Sequence, residues 1–396
     1  MNPLHYVTES EIIELTQKLV RVPSDWNEPT YEKAALDLLC KFLDTNSIPY
    51  EKQKISKNRY NIIAFFKGDK DGKKILFNGH IDTVPPYEMD FPPYNAFIEN
   101  GWIYGRGSND MKGAIAAMIM VLLAFHRSKA EFSGEIIVSV VVGEEEDSIG
   151  TKKLIQEGLD VHAAIVGEPS GFDYAIAHRG LEWFELEITG KTAHSGYDDH
   201  PINAISKAAK VIHVLEKELG AILQNRTHPY TGRSILNFGK ILGGEQPSTV
   251  AGTCIIQFDR RYIPGETPES VRQEIETIIS KLQAEDKDLQ ITLRLLAQDE
   301  HDPYHHVPLE TNLANLIVPI VRSAVRKVTG KEPELTTKRG WTDAGLLSSY
   351  GKIPTIVCGP GNIRFSHTKN EGIPISHLVD AVKIYSKIAL DFCQSE

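Results

Sequence analysis

Apolar residues recur along this chain with two periods, and the switches between them mark its elements. Residues 9–22 (Glu-Ser-Glu-Ile-Ile-Glu-Leu-Thr-Gln-Lys-Leu-Val-Arg-Val) space their apolar positions for an amphipathic helix, and residues 31–45 repeat that signal. Tyr60-Asn-Ile-Ile-Ala-Phe-Phe66 and the run ending at Phe77 read as strands. Residues 110–127 read as a mostly buried helix, 134–142 as a β-branched strand and 161–166 as another. These apolar runs lack alternation, which fits strands covered on both faces. Strands taking turns with helices predict an α/β layer fold.

The texture changes near residue 181. Leu181-Glu-Trp-Phe-Glu-Leu-Glu-Ile-Thr189 alternates, as a sheet with one wet face should. A helix follows at 202–223, then strands at 233–241 and 251–261, a helix at 268–284 and a strand at 289–297. That order, β-α-β-β-α-β, is the ferredoxin-like arrangement. Signals resume at 310–328 and 353–358, and the last helix spans 375–393. The pattern therefore predicts a discontinuous first domain, 1–180 and 299–396, with a smaller α+β domain, 181–298, inserted into it.

Composition narrows the classes. The 396 residues suffice for about two or three domains. No apolar stretch is expected to approach a membrane span, and the start lacks the basic and apolar regions of a secretory signal. Cys40, Cys254, Cys358 and Cys393 are widely spaced, which suggests neither a zinc knuckle nor a disulfide framework and fits a reducing cytoplasm. A formal charge of −10 argues against a nucleic-acid partner, because phosphate binding needs a basic surface.

Polar residues of one chemical kind gather where the strands end. His80 and Asp82 follow the strand to Phe77, in Asn78-Gly-His-Ile-Asp-Thr-Val-Pro85. Asp110 lies in Gly105-Arg-Gly-Ser-Asn-Asp110, before a helix; Glu144, Glu145 and Glu146 follow the strand to Val142. Glu168 sits in Gly167-Glu-Pro-Ser170, and His367 follows Cys358-Gly-Pro-Gly-Asn-Ile-Arg-Phe-Ser366. Sites in open α/β sheets form beyond the carboxyl ends of the strands. Imidazole nitrogen with carboxylate oxygen suits zinc, and five such groups can hold two ions. Taken singly, each has a plain use: Asp110 as a helix N-cap, the glutamates as a solvated acidic turn. Gly105-x-Gly107-x-x-Asp110 is a poor dinucleotide fingerprint, since a carboxylate replaces the third glycine and would repel a pyrophosphate.

With these motifs in this order (G-H-I-D-T-V-P, G-R-G-S-N-D-M-K-G, G-E-E-E-D-S-I-G-T, G-E-P-S and S-H) the chain resembles the M20 metallopeptidase family over nearly its whole length. That family holds acetylornithine deacetylases, succinyl-diaminopimelate desuccinylases, aminoacylases, carboxypeptidase G2-like enzymes and several dipeptidases. The resemblance implies a zinc-exopeptidase-like catalytic domain, a mixed sheet covered by helices, with an inserted lid that often dimerises. It implies two Zn2+ ions per subunit, replaceable by Co2+ or Mn2+. His80 and His367 would each bind one ion, Asp110 would bridge both, and Glu145 and Glu168 would complete the shells. Asp82 would hydrogen-bond the free nitrogen of His80, and Glu144 would act as general base on a metal-bridging water. The register within Glu144-Glu145-Glu146 rests on the distance to Gly150-Thr151, and a shift by one residue stays open.

The same resemblance makes His194 of the inserted domain an oxyanion donor, commonly supplied by the partner subunit. Arg179 and Arg261 match arginines that grip a substrate carboxylate, with Arg260 on the other side of its strand. Asn237, Thr342 and Gly359 match further substrate-facing positions. Ser248 and Ala251 stand where the family usually has Asn and Pro, the Pro expected soon after His194 is displaced to Pro201, and Trp341 replaces a common glycine. These departures spare the ligand set and touch the substrate side. The expected activity is hydrolysis of an N-acyl amino acid of the acetylornithine or succinyl-diaminopimelate type, by a cytoplasmic homodimer acting on a small molecule or short peptide. The alternatives are a dipeptidase or glutamate carboxypeptidase of the same family and, from another class, a catalytically dead scaffold, which would have lost a ligand or the base.

Overall fold

In the computed structural model, which describes residues 3–129, 131–196, 200–296, 302–338 and 340–395, the first long helix begins at a capping box. The Thr8 hydroxyl accepts from the Glu11 N–H, and Glu11 returns a bond to the Thr8 N–H. The main helices are α1 (Glu9–Val20), α2 (Lys33–Thr45), α3 (Gly113–Ser128), α4 (Ile149–Glu157), α5 (Ala204–Val214), α6 (Pro268–Glu285), α7 (Ile317–Thr329), α8 (Ala344–Ser349) and α9 (Ile375–Cys393). The two main sheets are built from β1 (Tyr50–Lys54), β2 (Tyr60–Lys67), β3 (Lys70–His80), β4 (Ser133–Val141), β5 (Ala163–Val166), β6 (Gly180–Thr189), β7 (Ile235–Gly243), β8 (Thr253–Tyr262), β9 (Gln290–Leu295) and β10 (Thr355–Val357).

The chain divides into two compact units. Met1–Ile176, Glu310–Thr337 and Thr342–Glu396 form the first; Ala177–Leu309 and Lys338–Trp341 form the second. The first unit carries a six-stranded mixed sheet in the order β1-β2-β4-β3-β5-β10. β3 runs parallel to both β4 and β5, and β10 runs parallel to β5. Their ends lie level: His80 pairs with Val141, Asn78 with Val166 and Val357 with Val166. The chain therefore leaves four neighbouring strands at one edge, which brings four exit loops together. Helix α9 packs on α3 and α7, and its Tyr385 ring lies 5.1 Å from that of Phe77 in β3.

The buried helix begins later than its pattern implies. Ser108–Lys112 is a kinked turn in which Asp110 and Met111 leave helical backbone angles, and α3 proper starts at Gly113. Asp110 thus sits inside the turn rather than at an N-cap. One expectation is corrected here: Ser108–Ser128 is long and apolar enough to span a membrane. Its apolar stretch through Phe125 is buried in the unit, as the core helix of a globular protein is, while His126 and Arg127 at its end are exposed.

The second unit holds an antiparallel sheet in the order β7-β8-β6-β9, with α5 and α6 supplying its helical layer. This is the ferredoxin-like order. Alternation in β6 points Phe184, Leu186 and Ile188 into the core while Trp183 is exposed on the other face. The last strand ends at Leu295; residue 297, where the periodicity ends, lies outside the described residues. Lys338–Trp341 joins this unit because Lys338 bridges to His178 and the Trp341 ring packs edge-on against His306 at 4.5 Å.

Candidate metal centre

The level strand ends of the first unit bring six side chains into one cluster. His80 terminates β3, and its Nε2 lies 3.4 Å from Asp110 Oδ1 and 3.3 Å from Glu168 Oε1. His367 Nε2 lies 2.9 Å from Glu145 Oε1 and 3.6 Å from Asp110 Oδ2. Three groups each gather donor atoms within 4.8 Å of one another: His80 with Asp110 and Glu168, Asp110 with Glu145 and His367, and His80 with Glu144 and Glu145. Asp110 belongs to the first two groups, so one carboxylate faces both imidazoles.

Glu144, Glu145 and Glu146 point different ways. Glu144 and Glu145 turn into the cluster, while Glu146 accepts from Arg59 Nη2 at 3.1 Å. Burial holds the Glu144 carboxyl well above the ordinary range; His80 opposes the rise, and Glu168 and Glu145 add to it. Burial raises Glu145 too, against the hydrogen bond from His367 and with Asp110 adding to the rise. Burial works against charge on His80, yet the carboxylates of Asp110, Asp82 and Glu168 outweigh it and raise that imidazole well above its usual value. Glu145 pushes His367 up to about 9. Four acidic groups crowded around two imidazoles are what a divalent cation relieves, and mixed nitrogen and oxygen donors suit zinc and its neighbours. The donor set therefore fits a pair of metal ions.

Asp82 stands beside the ring of His80, and its nearer contact to that ring is through its main chain. His80 Nδ1 lies 3.0 Å from the main-chain oxygen of Asp82 and 3.7 Å from its carboxylate. The ring N–H is thus held by a carbonyl. The carboxylate accepts from the N–H groups of Gly143 and Glu145, each at 2.9 Å, and so ties the acidic turn to β3.

The same cluster is supported by residues that periodicity does not single out. Glu371 is fully buried, accepts from the N–H groups of Asn109 and Asp110 at 3.1 Å each, and pairs with the buried Arg106 at 2.5 Å. Burial carries its carboxyl up to about 7, against the pull of Arg106. Asp343, also buried, accepts from the Thr151 hydroxyl at 2.7 Å, and burial likewise raises it to about 7. Arg106 and Asn109 lie inside the Gly105–Asp110 motif, which was the available signal; nothing local marks Glu371.

The remaining candidates divide between the units. Thr342 is buried in the first unit, where its hydroxyl accepts from Ala344 N–H at the start of α8. Gly359 is buried too. Its N–H donates to the Ser170 hydroxyl and its carbonyl accepts from Phe172 N–H. A Cβ there would lie 2.1 Å from the Gly167 oxygen, so Gly359 packs directly behind the loop carrying Glu168.

In the second unit, Asn237 stands opposite Asp259 across β7 and β8, and Arg261 donates to Asp259 at 2.8 Å, so these three share one face of the sheet. Arg260 faces the other way, fully buried, and pairs with Glu266 at 2.7 Å. Arg179 donates to the main-chain oxygens of Thr231 and Arg233. His194 is exposed, and its Nδ1 accepts from Gly196 N–H at 3.1 Å. That bond leaves Nε2 to carry the proton of the neutral ring.

A mixed α/β sheet with this candidate donor set at its carboxyl edge is an arrangement suited to a metal-dependent hydrolase. The sequence specifies which: residues 76–391 match the profile of Peptidase family M20/M25/M40, and the chain belongs to that family of amide and peptide hydrolases. It is 29% identical over 361 residues to acetylornithine deacetylase of Myxococcus xanthus, covering 89% of this chain and 87% of that one. It is 30% identical over 397 residues to succinyl-diaminopimelate desuccinylase of Blochmanniella floridana, covering 96% and 98%. Its fold matches the crystal structure of the aminopeptidase PepT from Bacillus cereus with a TM-score of 0.80 at 21% identity, covering 98% of this chain and all of that one (100%).

Proposed function

We propose that this chain hydrolyses the amide bond of an N-acyl amino acid, of the acetylornithine or succinyl-diaminopimelate type, to a carboxylate and a free amine. One observation carries the reading: Asp110 sits between a His80–Glu168 group and a Glu145–His367 group, a two-site arrangement with one shared carboxylate. Sequence similarity to two deacylases over most of the chain supports the substrate class.

In this reading His80 and Glu168 would hold one ion, Glu145 and His367 would hold the other, and Asp110 would serve both. Zn2+ is the proposed metal, with Co2+ or Mn2+ able to replace it. When bound, such ions polarise the scissile carbonyl and make water nucleophilic near neutral pH. Glu144 takes a proton from the attacking water and returns one to the departing nitrogen, so the hydroxyl joins the acyl carbon as the C–N bond breaks. Its buried, acid-crowded setting favours proton uptake, which suits that task. His194 donates to the oxyanion from Nε2. Arg179 and Arg261 supply guanidinium forks for the substrate carboxylate, and Asn237, Thr342 and Gly359 shape the surroundings. Asp82 acts through the acidic turn that it holds.

The working form is proposed to be a homodimer. Strand β7 is one of the two edge strands of its sheet and exposes Ile241 and Leu242, each 52% accessible, and such edges favour pairing with a second chain. Sedimentation of the purified protein would check this, and a monomer at working concentration would remove it.

The deciding experiment assays N-acetyl amino acids, N-succinyl amino acids and dipeptides in parallel on zinc- and cobalt-loaded enzyme, with Glu144→Gln as control. Turnover of an acyl amino acid that Glu144→Gln abolishes, with metal retained, is the expected result. Turnover of dipeptides alone would make the chain a peptidase, and full activity of Glu144→Gln would remove the assigned base.

A further inference from the structure

Three consecutive glutamates pose a problem of selection. Glu144, Glu145 and Glu146 have the same side chain, and only two of them join the ligand cluster. The main chain of the turn is fixed from one side by Asp82, which accepts from Gly143 and Glu145. From the other side comes Arg59, at the end of the hairpin between β1 and β2. Its carbonyl accepts from both Ile55 and Ser56 N–H groups, which sets the hairpin.

The guanidinium of Arg59 is pinned before it reaches the turn. Nε and Nη2 contact the two oxygens of Glu32 at 3.1 and 2.6 Å, and the Glu32 side chain is only 1% exposed. The Tyr31 ring covers the guanidinium at 4.6 Å. From that fixed position Nη2 also reaches Glu146 at 3.1 Å. Gly143 leaves the room: a Cβ there would lie 2.7 Å from Nη2. Asn61, two residues on and within β2, donates to the Gly150 oxygen at 2.8 Å. The loop from Gly143 to Gly150 is thus held by Asp82 at its start, by Arg59 at Glu146 and by Asn61 at its end.

We propose that Arg59 is a positioning residue for the reaction: it draws Glu146 out of the acidic triplet and so keeps Glu144 and Glu145 on the ligand cluster. The inference rests on Glu144 as base and Glu145 as ligand. Arginine suits the task because its planar fork can engage Glu32 and Glu146 together, which an ammonium does less well. Without it, Glu146 is a third carboxylate with no cation, next to a site whose metal ions, when bound, would attract carboxylates.

The test compares wild type with Arg59→Met, Arg59→Lys, Glu146→Gln and the double variant Arg59→Met/Glu146→Gln. Co2+ titration followed by its visible spectrum reads the site without substrate, and kcat and KM are measured on the best substrate. Arg59→Met is expected to weaken Co2+ binding by about 10-fold or more and to lower kcat similarly, with KM within about two-fold. Arg59→Lys recovers part of both losses. Glu146→Gln stays near wild type, and the double variant recovers toward it, because the competing carboxylate is gone. A merely structural Glu32–Arg59 pair predicts no such recovery. Wild-type Co2+ binding in Arg59→Met, or a double variant no better than Arg59→Met, overturns the proposal. If Glu144→Gln proves active, the assignment of the base fails instead, while the Co2+ arm still judges Arg59.

Discussion

The side-chain amide of Asn109 holds the main chain of Asn362 at both polar groups: Nδ2 donates to its carbonyl at 3.1 Å, and Oδ1 accepts from its N–H at 2.9 Å. Nδ2 also donates to the Ser366 hydroxyl at 3.0 Å, one residue before His367. His367 itself has a backbone φ of 61°, an unusual conformation for a side chain of this kind that its loop must impose. One neighbour of Asp110 therefore sets the loop that presents the second imidazole.

The first prediction concerns that grip. Asn109→Ala removes three hydrogen bonds and frees the His367 loop. Affinity for the second metal ion is expected to fall about 10–100-fold, with the first ion less affected. Metal titration by calorimetry resolves the two events; two unchanged affinities would refute the coupling.

The second prediction separates Asp82 from His80. The Asp82 carboxylate accepts two N–H bonds from the acidic turn, while the His80 ring is held by a carbonyl that substitution at Asp82 leaves in place. Asp82→Asn keeps the size but turns an NH2 group toward one of those donors. Turnover should drop about 10–100-fold with metal content kept, whereas His80→Ala should also lose metal. Equal metal affinity in wild type and His80→Ala would undo the ligand assignment.

What could be read from sequence follows from how far each relation reaches. Strand ends carrying His80, Glu168 and the glutamates announce themselves, because a strand and its exit are local. So does the alternation of Phe184, Leu186 and Ile188. Supporting contacts are different. Arg59 meets Glu146 across 87 positions, Asn109 meets Asn362 across 253 and Arg106 meets Glu371 across 265. No period in the chain encodes such pairs. Asp82 is instructive: the resemblance ties it to His80, and its carboxylate also accepts from a turn 61 positions away at Gly143, which nothing local announces. The span Ser108–Ser128, buried as far as Phe125, shows the converse, an apolar run whose surroundings decide its meaning.

The third prediction is a pH effect in the second unit, away from the ligand cluster. His305 Nδ1 lies 2.9 Å from Glu182 Oε1, and Glu269 and Asp302 add negative charge nearby. Glu182 raises the His305 imidazole above its ordinary value, burial opposing. A raised value in the folded state means that the pair stabilises fully below the unfolded value of about 6.5 and that this is lost as pH rises through the folded value. The urea midpoint of His305→Gln should lie below wild type at about pH 6, and the gap should close toward about pH 9. A gap that is constant between those two conditions would show that the charge on His305 contributes nothing.

The last prediction decides what Gly359 does. Its match to a substrate-facing position implies that a small substitution there raises KM. Its surroundings imply something else. An added Cβ would sit 2.1 Å from the Gly167 oxygen and 2.6 Å from the Glu168 oxygen, and both are main-chain atoms that cannot swing aside. Relief must come from moving the Glu168 loop. Gly359→Ala is therefore expected to cost about 1–3 kcal/mol of stability and to lower metal occupancy, as overpacking in a dense interior does. Thermal unfolding, metal analysis and kcat with KM on the re-metallated protein form the measurement. Loss of stability and of metal, with KM little changed once metal is restored, would mark Gly359 as the packing partner of the Glu168 loop. Wild-type stability and metal content with a raised KM would return it to the substrate side.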